Sequence, residues 1–344
     1  MGVGQHTPVG TEHEQSVHVR CLVNGLAYCL AFALLATACL RFNPQARWFP
    51  LLAVLFGPVL LSLNMGQKSG LLLLLFVATY ALYANRRPGW AGLIFGLLLF
   101  KPHLTLVVLM AMVMRREWKF LTGFLRSALA AAAMSLWIGL QPCVEFLQVA
   151  LSAGRYMDHG GYQWEHAHNL WCGIRGFFPQ SQLGLAALGF GLLGMLLVGW
   201  VIRSNPAESP PESLEQAEWF GKLVLLTILL SPHFFTYDLS LLIIPMAILA
   251  CRVFSRGGDS GQPSETDPPS GIISSPALIV LPIAMYLAST WLPALAIWTG
   301  VQWSCWILAA WLVAWSPPRL ANSQTGGHAS PGESGFGCPR AAKA

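Results

Sequence analysis

Residues 86–118 read RRPGWAGLIFGLLLFKPHLTLVVLMAMVMRREW. Two basic clusters, Arg86–Arg87 and Arg115–Lys119, bracket an apolar stretch that Lys101 and Pro102 interrupt near its middle. Proline removes a helical hydrogen bond and clashes with the preceding turn. A lysine at mid-depth in a bilayer costs about 2.5–3.5 kcal/mol on insertion scales. The arms 90–100 and 102–114 are each about 16–20 Å long by helical rise, short of the ~30 Å of hydrocarbon that one crossing must span. The stretch reads as a short hairpin whose tip, Lys101-Pro102-His103, lines a recess while both ends return to one face. Read instead as a single Pro-kinked helix, it reverses the sidedness of everything downstream.

The rest of the chain is of the same kind. Of 344 residues, 55% are hydrophobic and only 10% charged, against about 25% charged in a soluble domain. This balance excludes a soluble enzyme, a disordered protein and a nucleic-acid binder. A net charge of +5, scattered in short clusters, gives no polyanion partner. Apolar runs occupy 21–40, 48–63, 69–84, 90–100, 102–114, 121–140, 182–202, 219–235, 238–254, 274–293 and 296–315. The expected fold is an all-α, polytopic membrane bundle of about eleven segments. Its membrane domain runs from 21 to 315, between a polar extracytoplasmic segment, 1–20, and a disordered cytoplasmic tail, 316–344. Stretches 203–218 and 255–273 read as linkers, and 141–181 as a polar outer loop.

With the N-terminus outside and each run crossing once, fifteen Lys and Arg fall inside and five (Arg20, Lys68, Lys101, Arg155 and Arg175) outside. That asymmetry obeys the positive-inside rule. Five of the eight cysteines lie in apolar runs as small fillers. Cys143 and Cys172 share the outer loop and can pair if it faces an oxidising space.

In this topology the informative polar clusters share the outer side. Lys101 and His103 sit at a helix break, where an ammonium can hold a phosphate. Asn64, Gln67 and Lys68 precede an apolar helix, a place for an anion or sugar hydroxyls. Ser231-Pro232-His233-Phe234-Phe235-Thr236-Tyr237-Asp238 breaks an otherwise apolar sequence. There His233 can contact phosphate or shuttle a proton. Asp238 can act as a base, fix His233, or simply cap the next helix. The loop stretch Trp164-Glu165-His166-Ala167-His168-Asn169 offers an aromatic face for a sugar and polar groups around it. Glu165, His166 and His168 match no standard metal spacing, so no metal or other cofactor is expected.

Taken together, NMGQKSGLLLLL (64–75), the stretch 86–109, the RREW that follows, HNLWCGI (168–174) and LLSPHFFTYDLSLLIIP (229–245) resemble glycosyltransferase family 87, integral membrane enzymes of the C-type glycosyltransferase fold. The resemblance covers about half the chain. It implies transfer of a sugar, typically mannose, from a polyprenyl-phosphate carrier to a lipid or glycan acceptor at the outer face of a bacterial plasma membrane, with inversion. An inverting transfer needs a base for the acceptor hydroxyl and cationic groups for the departing phosphate. Lys101, His103 and His233 suit the phosphate. Asn64, Gln67, Asn169 and Tyr237 suit sugar or substrate positioning, and Asp238 and Glu165 are the candidate bases. The family carries its presumed catalytic Asp in an outer loop after a first membrane helix. Here twenty polar residues precede a first apolar run at Cys21, so that helix and loop are expected to be missing and another acid must serve, or the chain is an inactive descendant. A multi-pass transporter or lipid flippase is the alternative, but its marks, inverted internal symmetry and mid-bilayer charges, are not apparent in the sequence.

Overall fold

The computed structural model describes residues 9–45, 48–158, 164–204, 209–256, 277–289 and 291–315. The tail expected at 316–344 and most of the linker at 255–273 lie outside the described residues. Among the described residues regular structure is helical, with a single isolated antiparallel bridge between Ala167 and Phe235. The chain opens with α1 (Val9–Leu40), so the polar segment expected before Cys21 already enters this helix. A short turn α2 (Phe49–Leu52) leads into α3 (Gly57–Asn64), α4 (Ser69–Ala84) and α5 (Pro88–Gly96). Tight 3₁₀ turns on either side of Lys101 join α5 to α6 (Leu106–Met114). Then come α7 (Trp118–Ile138), α8 (Leu140–Asp158), α9 (Leu170–Arg175), α10 (Leu183–Arg203) and α11 (Leu214–Leu230). A 3₁₀ segment, Thr236–Leu242, runs into α12 (Ile243–Arg256), followed by α13 (Ala277–Ala288), α14 (Leu292–Thr299) and α15 (Trp303–Trp315).

Among the described residues four stretches are long and apolar enough to cross a membrane: Val17–Leu40, Trp118–Ile138, Leu183–Arg203 and Thr236–Phe254. The pair Ile279–Ala288 and Leu292–Thr299, bent by 87°, makes a fifth if counted as one span. The other apolar runs of the sequence are shorter helices, among them Ser69–Ala84, Pro88–Phe100, Pro102–Met114 and Trp303–Trp315. Composition shows that a run is apolar; Pro58, Pro102 and Pro232 decide where its helix is cut. The expected outer loop 141–181 is also largely helical. Gly139, at φ +134°, turns the chain out of α7, and apolar residues at 140, 144 and 147 then recur at helical spacing in α8.

Glycines fix how α5 lies on α7. A Cβ on Gly92 would come within 1.9 Å of the Phe120 carbonyl oxygen, one on Gly96 within 2.4 Å of Ser127 Cβ, and one on Gly123 within 2.0 Å of the Gly89 carbonyl oxygen. The backbones touch, as small residues permit between membrane helices. Residue numbers rise together along the contact, from Gly89 against Lys119 to Gly96 against Ser127, so α5 and α7 run parallel. The α6 arm between them must return the chain to the end where α5 began. The stretch 88–114 is thus a hairpin with Lys101 at its elbow.

Other contacts define the two ends. Tyr83, at the close of α4, donates to Glu117 at 2.6 Å. Around it lie Arg41 with Asn85, Arg86 with Glu212, Arg115 with Gln216, and Arg252 with Glu218. The Arg115 guanidinium stacks 4.6 Å from the Trp219 ring, and Trp219 donates to the Val201 carbonyl. This basic end holds Arg86 and Arg116, the two non-glycine residues with left-handed φ among the described residues. The opposite end holds the start of α4, where Asn24 of α1 accepts from the Gly70 amide at 2.7 Å and donates to Ser62 of α3 at 3.1 Å. Lys101 belongs to this second end.

Candidate functional site

Helix α4 begins at Ser69, whose hydroxyl is buried and donates to Asp238 Oδ1 at 3.0 Å. Lys101 reaches the same oxygen from the hairpin elbow, with Nζ 2.6 Å away. Three elements far apart in sequence thus meet on one carboxylate oxygen. Asp238 lies in the 3₁₀ segment, five residues before α12, and so caps no helix; it pairs with Lys101 and Ser69 rather than His233. Its side chain is 1% exposed and that of Lys101 22%. The acid is walled in, while the ammonium sits at the rim. Oδ2 of Asp238 is buried without a hydrogen-bond partner.

An ammonium has three N–H donors, and the Asp238 bond uses one. The Tyr237 ring lies 5.5 Å from Nζ and stacks on Phe235. The rings of His103 and His233 meet edge to face at 5.8 Å, and both are partly exposed. The residues expected to hold phosphate therefore form two contacts, one from Lys101 to Asp238 and one between the two imidazoles. A cation with donors to spare and two flanking imidazoles can receive an oxyanion from the open side.

The loop carrying Asp238 is pinned from the other flank. The His168 amide donates to the Phe234 carbonyl at 2.8 Å, next to the Ala167–Phe235 bridge. Asn169 caps α9 by accepting from the Cys172 amide, and its own amide donates to the Pro232 carbonyl at 2.9 Å. Asn169 is fully buried with both ends of its amide engaged, so it holds the loop. Glu165 is half-buried in the turn Trp164–His166. Asn64 is exposed at the end of α3, and Gln67 is half-buried, its backbone paired with Ser62.

Burial of His168 is complete, and loss of hydration drives its pKa down to about 3, so the ring is neutral. Its two nitrogens contact the hydroxyls of Ser304 and Thr236. Among the described residues no three His, Cys, Asp or Glu side chains gather as a metal would need. Cys143 and Cys172, which share the outer stretch, form no disulfide with each other. The sequence reading gave no role of their own to Ser69, Thr236, Gln302 and Ser304. Ser69 had a local signal, standing directly after Lys68 at a helix start, and Thr236 lay within the polar Ser231–Asp238 break.

The model of glycosyltransferase family 87 matches residues 11–232. The chain belongs to glycosyltransferase family 87. No curated protein and no solved structure matches it. The chain is accordingly a membrane glycosyltransferase, working on a sugar donor and an acceptor. Within the family match lie Lys101, His103, Glu165 and Asn169; it ends at Pro232, inside the loop that carries His233, Tyr237 and Asp238.

Proposed function

We propose that this family 87 enzyme moves a hexose, mannose by the family's habit, from a polyprenyl-phosphate carrier to a lipid or glycan acceptor at the outer face of a bacterial plasma membrane. One observation carries the reading: a lysine at the elbow of a membrane hairpin, neutralised by a buried acid but open on its other side, at the end opposite the arginines. With those arginines on the cytoplasmic side, the elbow faces outward. A lipid phosphate reaching it gains Lys101 as its counter-ion, with His103 and His233 beside it. As the sugar–phosphate bond breaks, the same donors take up the charge growing on the leaving oxygen. Tyr237, whose ring lies 5.5 Å from the ammonium, and Gln67 and Asn64 are the candidates to serve the sugar.

The carrier's chain needs an apolar path. A groove of about 490 Å³ between Phe49–Phe56, α12 and α13 is lined by Ile243, Met246, Phe254, Ile283 and Tyr286 among others. Its lining includes Ile243, five residues beyond Asp238 in the chain.

The test is transfer by purified protein in vesicles given polyprenyl-phosphate mannose. Wild-type protein is expected to release or transfer mannose, and Lys101→Ala to reduce this at least tenfold. A second arm places cysteine at 103 and adds membrane-impermeant thiol reagent to intact cells. Labelling only after the cytosolic face is opened overturns the orientation, and the mechanism falls with it.

A further inference from the structure

The Ser231–Asp238 loop is tied to the start of α15 through a chain of buried polar groups whose proton positions can be deduced. Gln302, 1% exposed, places its Nε2 3.0 Å from the Glu165 carbonyl oxygen and 2.7 Å from that of Ala167. Carbonyls only accept, so this end of the amide is the donor and Oε1 is an acceptor. Ser304 lies 3.1 Å from Oε1 and gives its single hydroxyl proton there. The Ser304 oxygen, 2.7 Å from His168 Nδ1, is left to accept, which requires a proton on Nδ1. In a neutral ring the other nitrogen then carries a lone pair. Nε2 accepts from the Thr236 hydroxyl at 2.8 Å, a closer partner than the His166 carbonyl at 3.4 Å. The opposite tautomer would set lone pairs of Ser304 and Gln302 Oε1 against each other at 3.1 Å and gain only the longer Thr236–His166 bond at 3.4 Å.

Thr236 stands two residues before Asp238, in the same 3₁₀ segment, and Asp238 holds Lys101. We infer that His168, fixed as the neutral Nδ1–H tautomer by Ser304 and Gln302, is a positioning residue for the transfer reaction: through Thr236 it sets where Asp238, and so the Lys101 ammonium, stands. His168 touches neither phosphate nor sugar. The positioning role rests on the function proposed above; the tautomer does not. Ser304 and Gln302 lie beyond the stretch matched by the family model, so α15 becomes part of the functional unit. A neutral buried imidazole suits the task, because its donor and acceptor sides differ and only one threading of the loop satisfies both.

The experiment uses the full chain in lipid vesicles with ¹⁵N-labelled histidine. The His168 resonances, identified by their loss in His168→Asn, are expected to show a protonated Nδ1 and an unprotonated Nε2 at neutral pH. A protonated Nε2, or a charged ring, overturns the inference. Thr236→Val keeps the shape and removes the hydroxyl, while Thr236→Ser restores it. The valine variant is expected to lower kcat for mannose transfer about tenfold with KM for the donor changed less than about twofold. It is also expected to speed modification of Lys101 by an amine reagent, and the serine variant to return both to wild-type values. Unchanged kcat and unchanged Lys101 reactivity in Thr236→Val, with the melting temperature lowered, would reduce His168 to a structural tie and sink the positioning role. If wild-type protein transfers no sugar, the proposed function falls, and the inference is judged on the tautomer and on Lys101 reactivity alone.

Discussion

Removing one charge at the hairpin elbow should cost far more than removing both. Lys101→Met leaves Asp238, 1% exposed, with hydrogen bonds from Ser69 and the Phe235 backbone but no counter-ion within the pair. Breaking a buried ion pair from one side costs about 3–5 kcal/mol. Because the lysine side chain is 22% exposed and the gap can admit water, about 3 kcal/mol is expected here. Asp238→Leu strands the ammonium in the same way but at the rim, where it can turn outward, so about 2 kcal/mol is expected. The double variant Lys101→Met/Asp238→Leu removes the charges together, and replacing a buried pair by apolar groups is often close to neutral. The single costs therefore should not add: about 5 kcal/mol is their sum, and the double variant is expected to lose about 1 or less. The assay is reversible unfolding of all four proteins in one detergent–lipid mixture, read as a double-mutant cycle. Additive losses, with coupling below about 0.5 kcal/mol, would show that the 2.6 Å contact does no energetic work and would refute the account of why Lys101 is tolerated in the hairpin.

Three further outcomes follow from other parts of the structure. Gly92→Ala drives a methyl into the Phe120 carbonyl and Gly123→Ala drives one into that of Gly89; each should destabilise by about 1–3 kcal/mol, toward the upper end because the neighbour is backbone, whereas Gly184→Ala, with open space around it, should not, as melting temperatures will show. The His168 pKa lies near 3 in the fold and about 6.5 in the unfolded chain, so the unfolded state binds the extra proton: this contribution is complete above pH 6.5 and is lost as pH falls toward 3, by about 2 kcal/mol at pH 5. The unfolding free energy of His168→Asn should accordingly vary less between pH 7 and 5 than that of wild type. Asp238→Asn frees Lys101 from its resident anion, and should bind polyprenyl phosphate in vesicles more tightly than wild type while being less stable.

What the sequence made legible was local. The hairpin could be read because Pro102, the mid-run lysine and both flanking basic clusters lie within 34 residues, Arg86 to Lys119, and the parallel register of α5 and α7 agrees with it. Its purpose could not, because Lys101 and Asp238 stand 137 residues apart and nothing near either announces the other. Read separately, each appeared free for chemistry, one as a phosphate cation and one as a base. The count of about eleven segments is not matched by four or five helices of spanning length among the described residues for a related reason: hydropathy gives the apolar length of a run such as 219–235, but its helix ends at Leu230, before Ser231 and Pro232. Gln302 and Ser304 carried no signal, since an amide and a hydroxyl between apolar helices look like an ordinary turn until His168 arrives from another part of the fold.

The two candidate bases separate by access. A base must come within about 2.6–3.2 Å of the acceptor hydroxyl's proton-bearing oxygen or reach it through one water. Asp238 offers almost no surface, and its one satisfied oxygen already serves Lys101 and Ser69. Glu165 is half-buried on the rim of the pinned loop, its backbone carbonyl fixed by Gln302 while its side chain remains partly open. We therefore propose Asp238 as the counter-ion and Glu165 as the proton acceptor. Glu165→Gln should lower kcat for mannose transfer by about 10²-fold or more with the donor's KM and the protein's stability unchanged, and flatten the acidic limb of the pH–rate profile. Asp238→Asn should shift KM and stability and keep that limb. The opposite pattern would return the base to Asp238 and require the Lys101 contact to open during turnover.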